Sequence, residues 1–196
     1  MDKEKRLHYF KKMEIPLWSL RENGNKISKE KVKDDMPRKS IMTREKKIST
    51  LNWQELRFAV NNCKACDLYK TRSNPVFGVG NPDADLLVIG EAPGANEDKQ
   101  GEPFVGRGGQ LLTNMLSAIG FNREDYYIAN ILKSRPPNNR DPSLEEVKAC
   151  TPYLLRQISL VKPKLILAVG RIAAHYLLST NASMASLRGN LFHFGV

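Results

Sequence analysis

The stretch that most constrains this chain is a glycine- and proline-rich loop set between a strand signal and a helix signal. An apolar run, Leu86-Leu87-Val88-Ile89, leads into Gly90-Glu91-Ala92-Pro93-Gly94, and a helical pattern from Leu111 to Ile119 leads out. About twenty residues lie between, where connections in compact domains usually have only a handful. Six of the 13 glycines fall between Gly90 and Gly109. Open α/β folds bind ligands in loops at the carboxyl ends of sheet strands. This loop is therefore expected to form the site.

The other signals alternate. Leu51 to Val60 reads as a helix with Ser49 or Thr50 as its cap. Pro75 to Pro82 reads as a loop or short strand. Asp85 to Ile89, Tyr126 to Leu132 and Lys164 to Gly170 read as strands, the last apolar enough to be covered on both faces. Ser143 and Glu146 have capping-box spacing at the start of a helix that Pro152 is expected to break. Strands alternating with helices predict an α/β fold, a three-layer α/β/α domain with a short parallel sheet. Phe192 and Phe194 look like the start of a further strand, so the last strand is expected to be missing or incomplete. We expect two regions: a basic, flexible N-terminal arm over residues 1–50, carrying at most a short helix, and one domain over 51–196.

Charge separates these regions. The net charge is +10. Residues 1–50 hold 15 Lys and Arg against 8 Asp and Glu. A basic arm suits a polyanion partner such as nucleic acid; it also suits a solvated leader. It lacks the apolar core of a secretory signal. No apolar run approaches the ~18 residues of a membrane span. We therefore expect no membrane partner.

Three cysteines are a poor disulfide framework and fit a reducing cytosol. Cys63-x-x-Cys66 with distant Cys150 leaves three readings open: free thiols, a redox pair, or a metal centre. A metal centre needs a fourth ligand, for which Ser134 is a candidate. Haem attachment would need His after Cys66, and Asp67 stands there.

Several motifs occur together: Cys63-x-x-Cys66, Phe77-Gly78-Val79-Gly80-Asn81-Pro82, Gly90-Glu91-Ala92-Pro93-Gly94 with Glu97-Asp98, and Pro103-Phe104-Val105-Gly106-Arg107. They continue with Asn130-Ile131-Leu132-Lys133, Arg135-Pro136-Pro137-Asn138-Asn139-Arg140 and Leu187-Arg188-Gly189. Over about residues 55–195 the sequence resembles the family 4 uracil-DNA glycosylases, the iron–sulfur type of bacteria and archaea.

The resemblance implies a DNA base-excision repair enzyme that hydrolyses the N-glycosidic bond of uracil in DNA, releasing uracil and leaving an abasic site. It implies a [4Fe–4S] cluster, with Cys63, Cys66 and Cys150 matching three ligands. Ser134 falls where the family has its fourth cysteine, so the cluster is expected to be Ser-ligated, incomplete or labile. The resemblance places Phe104 as the platform under the flipped base and Asn130 as the reader of the uracil edge. Glu91, Ala92 and Pro93 line the base pocket, with Glu91 orienting the attacking water. Arg107 and Gly108, opening a helix, are expected to hold a DNA phosphate; Arg135, Asn138 and Arg140 are expected to clamp the strand backbone. Glu97 and Asp98 read as loop architecture, and His175 as a packing or surface residue.

Family members continue into a His-Pro loop, and this sequence ends at Val196 before such a segment. The alternative expectation is thus a catalytically impaired, DNA-binding iron–sulfur homologue. A zinc or redox module is a third reading, which the pocket motifs oppose. The expected partner is uracil-containing DNA, the expected state a monomer, and the expected setting the bacterial or archaeal cytoplasm near the nucleoid.

Overall fold

In the computed structural model, residues 17–20 and 43–195 are described. The expected flexible arm lies for most of its length outside them. Two of its pieces are ordered elements: strand β1, Leu17–Leu20, and helix α1, Arg44–Ile48. Ile48 is buried with Leu56, Val60, Phe77 and Tyr153. A residue ahead of position 51 thus packs into the same core.

Helix α2 spans Trp53–Asn61. Its cap is Asn52, correcting Ser49 or Thr50. Asn52 Oδ1 accepts from the Glu55 amide at 3.0 Å, and Glu55 Oε2 accepts from the Asn52 amide at 2.8 Å. This reciprocal pair satisfies two amides that a helix start leaves open.

One sheet of six strands forms the middle layer, in the order β2-β4-β3-β5-β1-β6. The strands are β2 (Val79–Gly80), β3 (Leu86–Gly90), β4 (Tyr126–Asn130), β5 (Leu165–Ala168) and β6 (Leu191–Phe194), with β1 above. The three central strands are parallel, as the alternating pattern predicts, with Gly90 opposite Asn130 and Ile89 opposite Ala168. The flanks are mixed. β2 runs antiparallel to β4, and β1 antiparallel to β5. The strand start read at Phe192 and Phe194 is observed: β6 lies parallel to β1, Leu20 opposite Phe194. An N-terminal strand separates it from β5, a pairing too distant in sequence for local patterns to reveal.

Helices cover both faces because strand residues alternate in direction. Leu86, Val88, Tyr126, Ile128 and Leu167 pack with Leu112 and Leu116 of helix α4 (Arg107–Ala118). Leu87, Ile89, Tyr127, Ala129 and Ile166 pack with Leu154 and Ile158 of α5 (Leu144–Val161) and Ala173, Ala174 and Leu177 of α6 (Arg171–Leu178). A short helix, α7 (Met184–Leu187), follows.

Two further expectations change. The long loop contains a helix, α3, Ala95–Gln100. Its sequence, Ala-Asn-Glu-Asp-Lys-Gln, has no apolar stripe to announce it. Pro152 does not break α5, which continues to Val161. Proline removes one helical donor, yet the buried Tyr153, Leu154, Ile158 and Val161 hold the second half against its neighbours. At the start of α5, Ser143 and Glu146 form the capping box their spacing suggested.

Candidate functional site

Three parallel strands end side by side, and the site lies beyond their carboxyl ends, where α/β sheets expose a crevice. β3 ends at Gly90, β4 at Asn130 and β5 beside Val169. The Ile131 amide donates to the Gly90 carbonyl at 2.9 Å, and the Val169 amide to that of Ile89 at 2.8 Å. A cavity of about 740 Å³ opens there, lined by Ala92, Glu97, Phe104, Arg107, Gly108, Asn130, Leu111 and Val169 among others.

Glycines bring these groups together. A Cβ on Gly90 would lie 2.5 Å from Asn130 Oδ1 and 2.5 Å from Phe104 Cζ, so only a glycine lets the ring and the amide approach. A Cβ on Gly109 would collide with the Phe104 carbonyl oxygen, so the first turn of α4 lies directly on the Phe104 backbone. Phe104 itself has φ of 57°, a left-handed conformation that a non-glycine residue seldom holds. Such conformations persist where the surroundings over-determine them and cluster at functional sites.

Asn130 is 2 % exposed, yet its side chain borders the cavity. The Lys133 ammonium donates to its backbone carbonyl at 2.7 Å and to Gln157 Oε1 at 2.6 Å. Gln157 in turn donates to the Phe77 carbonyl at 2.8 Å. Burial pulls the Lys133 ammonium down to about 7. A buried hydrogen-bonded chain of this kind fixes the end of β4.

The cavity thus unites Ala92, Phe104, Asn130, Arg107 and Gly108. Glu91, Pro93, Arg135, Asn138 and Arg140 do not line it. Pro93 is buried. The Glu91 carboxyl is raised above its ordinary range by burial and by the Asp141 charge, against the pull of Arg171. Arg171 pairs with Asp141 at 3.0 Å, tying α6 to the loop after β4. In that loop Asn138 and Asn139 both have positive φ, and Asn139 Oδ1 accepts from Arg135 Nε at 2.7 Å. Arg140 is committed elsewhere: its guanidinium grips Glu146 with two hydrogen bonds, 2.9 and 2.6 Å, at the start of α5.

Glu97 and Asp98 are architectural, as read. Asp98 accepts from the Ser73 amide with both oxygens at 3.0 Å. Glu97 also borders the cavity, which the sequence reading missed, as it missed Val169. The position of Val169 at the end of a central parallel strand was the available signal. His175 Nε2 lies 2.8 Å from the Ala182 carbonyl oxygen and takes a packing role.

On the α5 side of the sheet, the Cys66 and Cys150 thiols form a hydrogen bond. That bond pulls Cys66 down to about 6 and pushes Cys150 well above its ordinary value. Cys63 Sγ lies 3.8 Å from an Arg44 nitrogen. Ser134 is buried, and its hydroxyl accepts from Arg72 at 2.8 Å; the same guanidinium donates to the carbonyls of Asn61 and Cys63 at 3.1 Å each. Among the described residues no three His, Cys, Asp or Glu side chains converge closely enough to hold a single metal ion.

The sequence profile described as the Uracil DNA glycosylase superfamily matches residues 77–194. A type-4 uracil-DNA glycosylase of Archaeoglobus fulgidus is 54% identical over 118 residues, 60% of this chain and 59% of that protein. The chain thus spans less than two thirds of that relative. One from Pyrobaculum aerophilum is 46% identical over 141 residues, 72% of each chain. One from Thermotoga maritima is 47% identical over 132 residues, 67% of this chain and 69% of its own length. The fold, the motifs and these matches place the chain in the uracil DNA glycosylase superfamily, among relatives of type 4.

Proposed function

We propose that this protein excises uracil from DNA by hydrolysing its N-glycosidic bond. The observation that carries the reading is the meeting of the Phe104 ring and the Asn130 amide across Gly90, in one cavity at the strand ends. A base can be cut from deoxyribose only when it leaves the stack and enters a pocket that reads it. Phe104 supplies a stacking surface. Asn130 supplies both a donor and an acceptor, matching uracil O4 and N3–H. Ala92 shapes the wall beside them.

As the bond breaks, uracil leaves as an anion and the sugar gains positive charge. Donors aimed at the developing anion lower the barrier. Glu91, next to Ala92, orients the attacking water from the sugar side. Its raised proton affinity means that its charged form grows in as pH rises. Arg107 and the amides of Gly108 and Gly109, whose first-turn position leaves them without helical acceptors, take a DNA phosphate. Arg135 and Asn138 steady the strand from a loop stiffened by Pro136 and Pro137. Arg140 is left out of this set, because Glu146 holds it.

An iron–sulfur cluster fits the donor set on the α5 side. Cys63, Cys66 and Cys150 would hold it, with Ser134 at the fourth position. What supports this is chemistry: the Cys66 and Cys150 thiols bond to each other, Arg72 joins the Cys63 carbonyl to the Ser134 hydroxyl, and Cys150 lies close enough to the buried Lys133 for their charges to interact. A buried cation is costly unless an anion balances it, and cysteine thiolates provide one. The cluster's contribution would be structural, tying α5 to the segment after α2. The proposed substrate is uracil-containing DNA, and the protein acts as a monomer in the cytoplasm, close to nucleoid DNA.

The test is incubation with a single-stranded oligonucleotide bearing one uracil, followed by alkali. Strand cleavage at the uracil position is expected, and an intact strand at stoichiometric protein refutes the proposal.

A further inference from the structure

The base platform sits in an unusual place. Phe104 follows a proline, has left-handed backbone dihedrals and belongs to no helix or strand. Nothing in its own conformational preference keeps it there. Two neighbours do. The backbone of Gly109 presses on its carbonyl from one side. From the other, the Glu97 carboxylate takes the two amides that follow it: Oε1 accepts from Val105 at 2.9 Å and from Gly106 at 2.7 Å. Oε2 accepts from Gly94 at 3.1 Å. One side chain thereby ties both ends of the segment from Gly94 to Gly106.

We infer that Glu97 is a positioning residue for the base platform: its carboxylate fixes the backbone after Phe104 and so sets where the ring stands. This rests on the reading of Phe104 as the surface under the flipped base. Three features single out Glu97. Its helix is itself anchored, since Asp98 holds the Ser73 amide and Asn74 donates to the Asp98 carbonyl at 2.9 Å. Its charge lies at the N-terminus of α4, where the helix dipole favours an anion. And it accepts three amide hydrogens with two oxygens, which an amide side chain cannot reproduce. A glutamine keeps one acceptor oxygen and turns an NH2 group toward an N–H, so one of the two ends is released.

The experiment compares Glu97→Gln, Phe104→Ala and the double variant, each first checked for cooperative melting. Hydrogen exchange is read over residues 94–109, and uracil release in single turnovers. Hydrogen bonds to a charged acceptor are strong enough that their loss should speed exchange by about tenfold or more at the released end, Gly94 or Val105 and Gly106. Excision should fall by about tenfold in the single Glu97 variant. In the Phe104→Ala background the same change should have little further effect, because coupled residues are not additive. Unchanged exchange at Gly94, Val105 and Gly106 alike, or a loss that multiplies in full on top of Phe104→Ala, overturns the inference. If wild type releases no uracil, the functional reading fails and the exchange result alone decides this one. Should Glu97→Gln fail to fold, Glu97→Asp, which keeps the charge but shortens the reach, is read in the same way.

Discussion

Phe104 and Asn130 meet at the space where Gly90 has no side chain: a Cβ there would stand 2.5 Å from both the ring and the amide oxygen. A stacking surface and an edge reader are thus set by one small residue at the end of a central strand. Gly90→Ala should push the two apart while leaving the β3–β4 register in place. Overpacking of this kind typically costs about 1–3 kcal/mol. Excision should fall by about two orders of magnitude, since each 1.36 kcal/mol is tenfold in rate. Single-turnover kinetics beside a melting curve separates the lost activity from lost stability.

Phe104→Ala and Asn130→Ala should each reduce uracil release far more than Arg140→Ala. Loss of base stacking is worth about 1–3 kcal/mol, about 5- to 150-fold. Arg140 instead holds Glu146, so its removal should appear in the melting curve. Rates for the three variants on one oligonucleotide check the order.

The α5 cap gives a pH-dependent stability term. The Arg140 guanidinium holds the Glu146 carboxyl below its ordinary value of 4.5, helped by the Ser143 amide and opposed by burial. A depressed carboxyl stabilises the fold above its ordinary value and loses that contribution as pH falls below it. Wild type should therefore lose more stability than Glu146→Gln between neutral and acidic pH. Ser143→Ala should cost about 1 kcal/mol at neutral pH through its cap. Denaturant titrations at several pH values measure both.

Glu91 has the opposite sign. Burial and Asp141 raise its carboxyl, so its contribution to stability is present at low pH and declines as pH rises through the raised value. Its proposed water-orienting role needs the charged form, so excision should increase over that interval. Asp141→Asn should move the acid limb of the pH–rate profile to lower pH, and Glu91→Gln should abolish the limb.

The sulfur site predicts a brown protein when purified anaerobically. Cys66→Ser and Cys150→Ser should remove most of the bound iron, and Ser134→Cys should retain iron longer in air than wild type. Iron and sulfide assays on the three variants decide it.

What could be read from sequence was local. The runs Leu86 to Ile89 and Tyr126 to Asn130 are short, apolar and bounded by turn residues, so the parallel centre of the sheet was legible. The cap at Ser143 was legible because both partners lie within one turn. Helix α3 was not, because side chains fix it to distant backbone: Glu97 to Val105 and Asp98 to Ser73. Strand β1 was not, because its partners Leu167 and Leu191 are far along the chain and its own neighbourhood is charged. The site residues Phe104 and Asn130 were named through motif resemblance. Why they meet is a fact of packing at Gly90, which no sequence pattern expresses.

The most direct measurement of the account is free uracil itself. Oligonucleotides carrying uracil, thymine or cytosine at one position are incubated with the protein, and the released base is quantified by mass spectrometry. The account predicts uracil release with an abasic site left behind, and no thymine or cytosine. No released base, or equal release of all three, would contradict it.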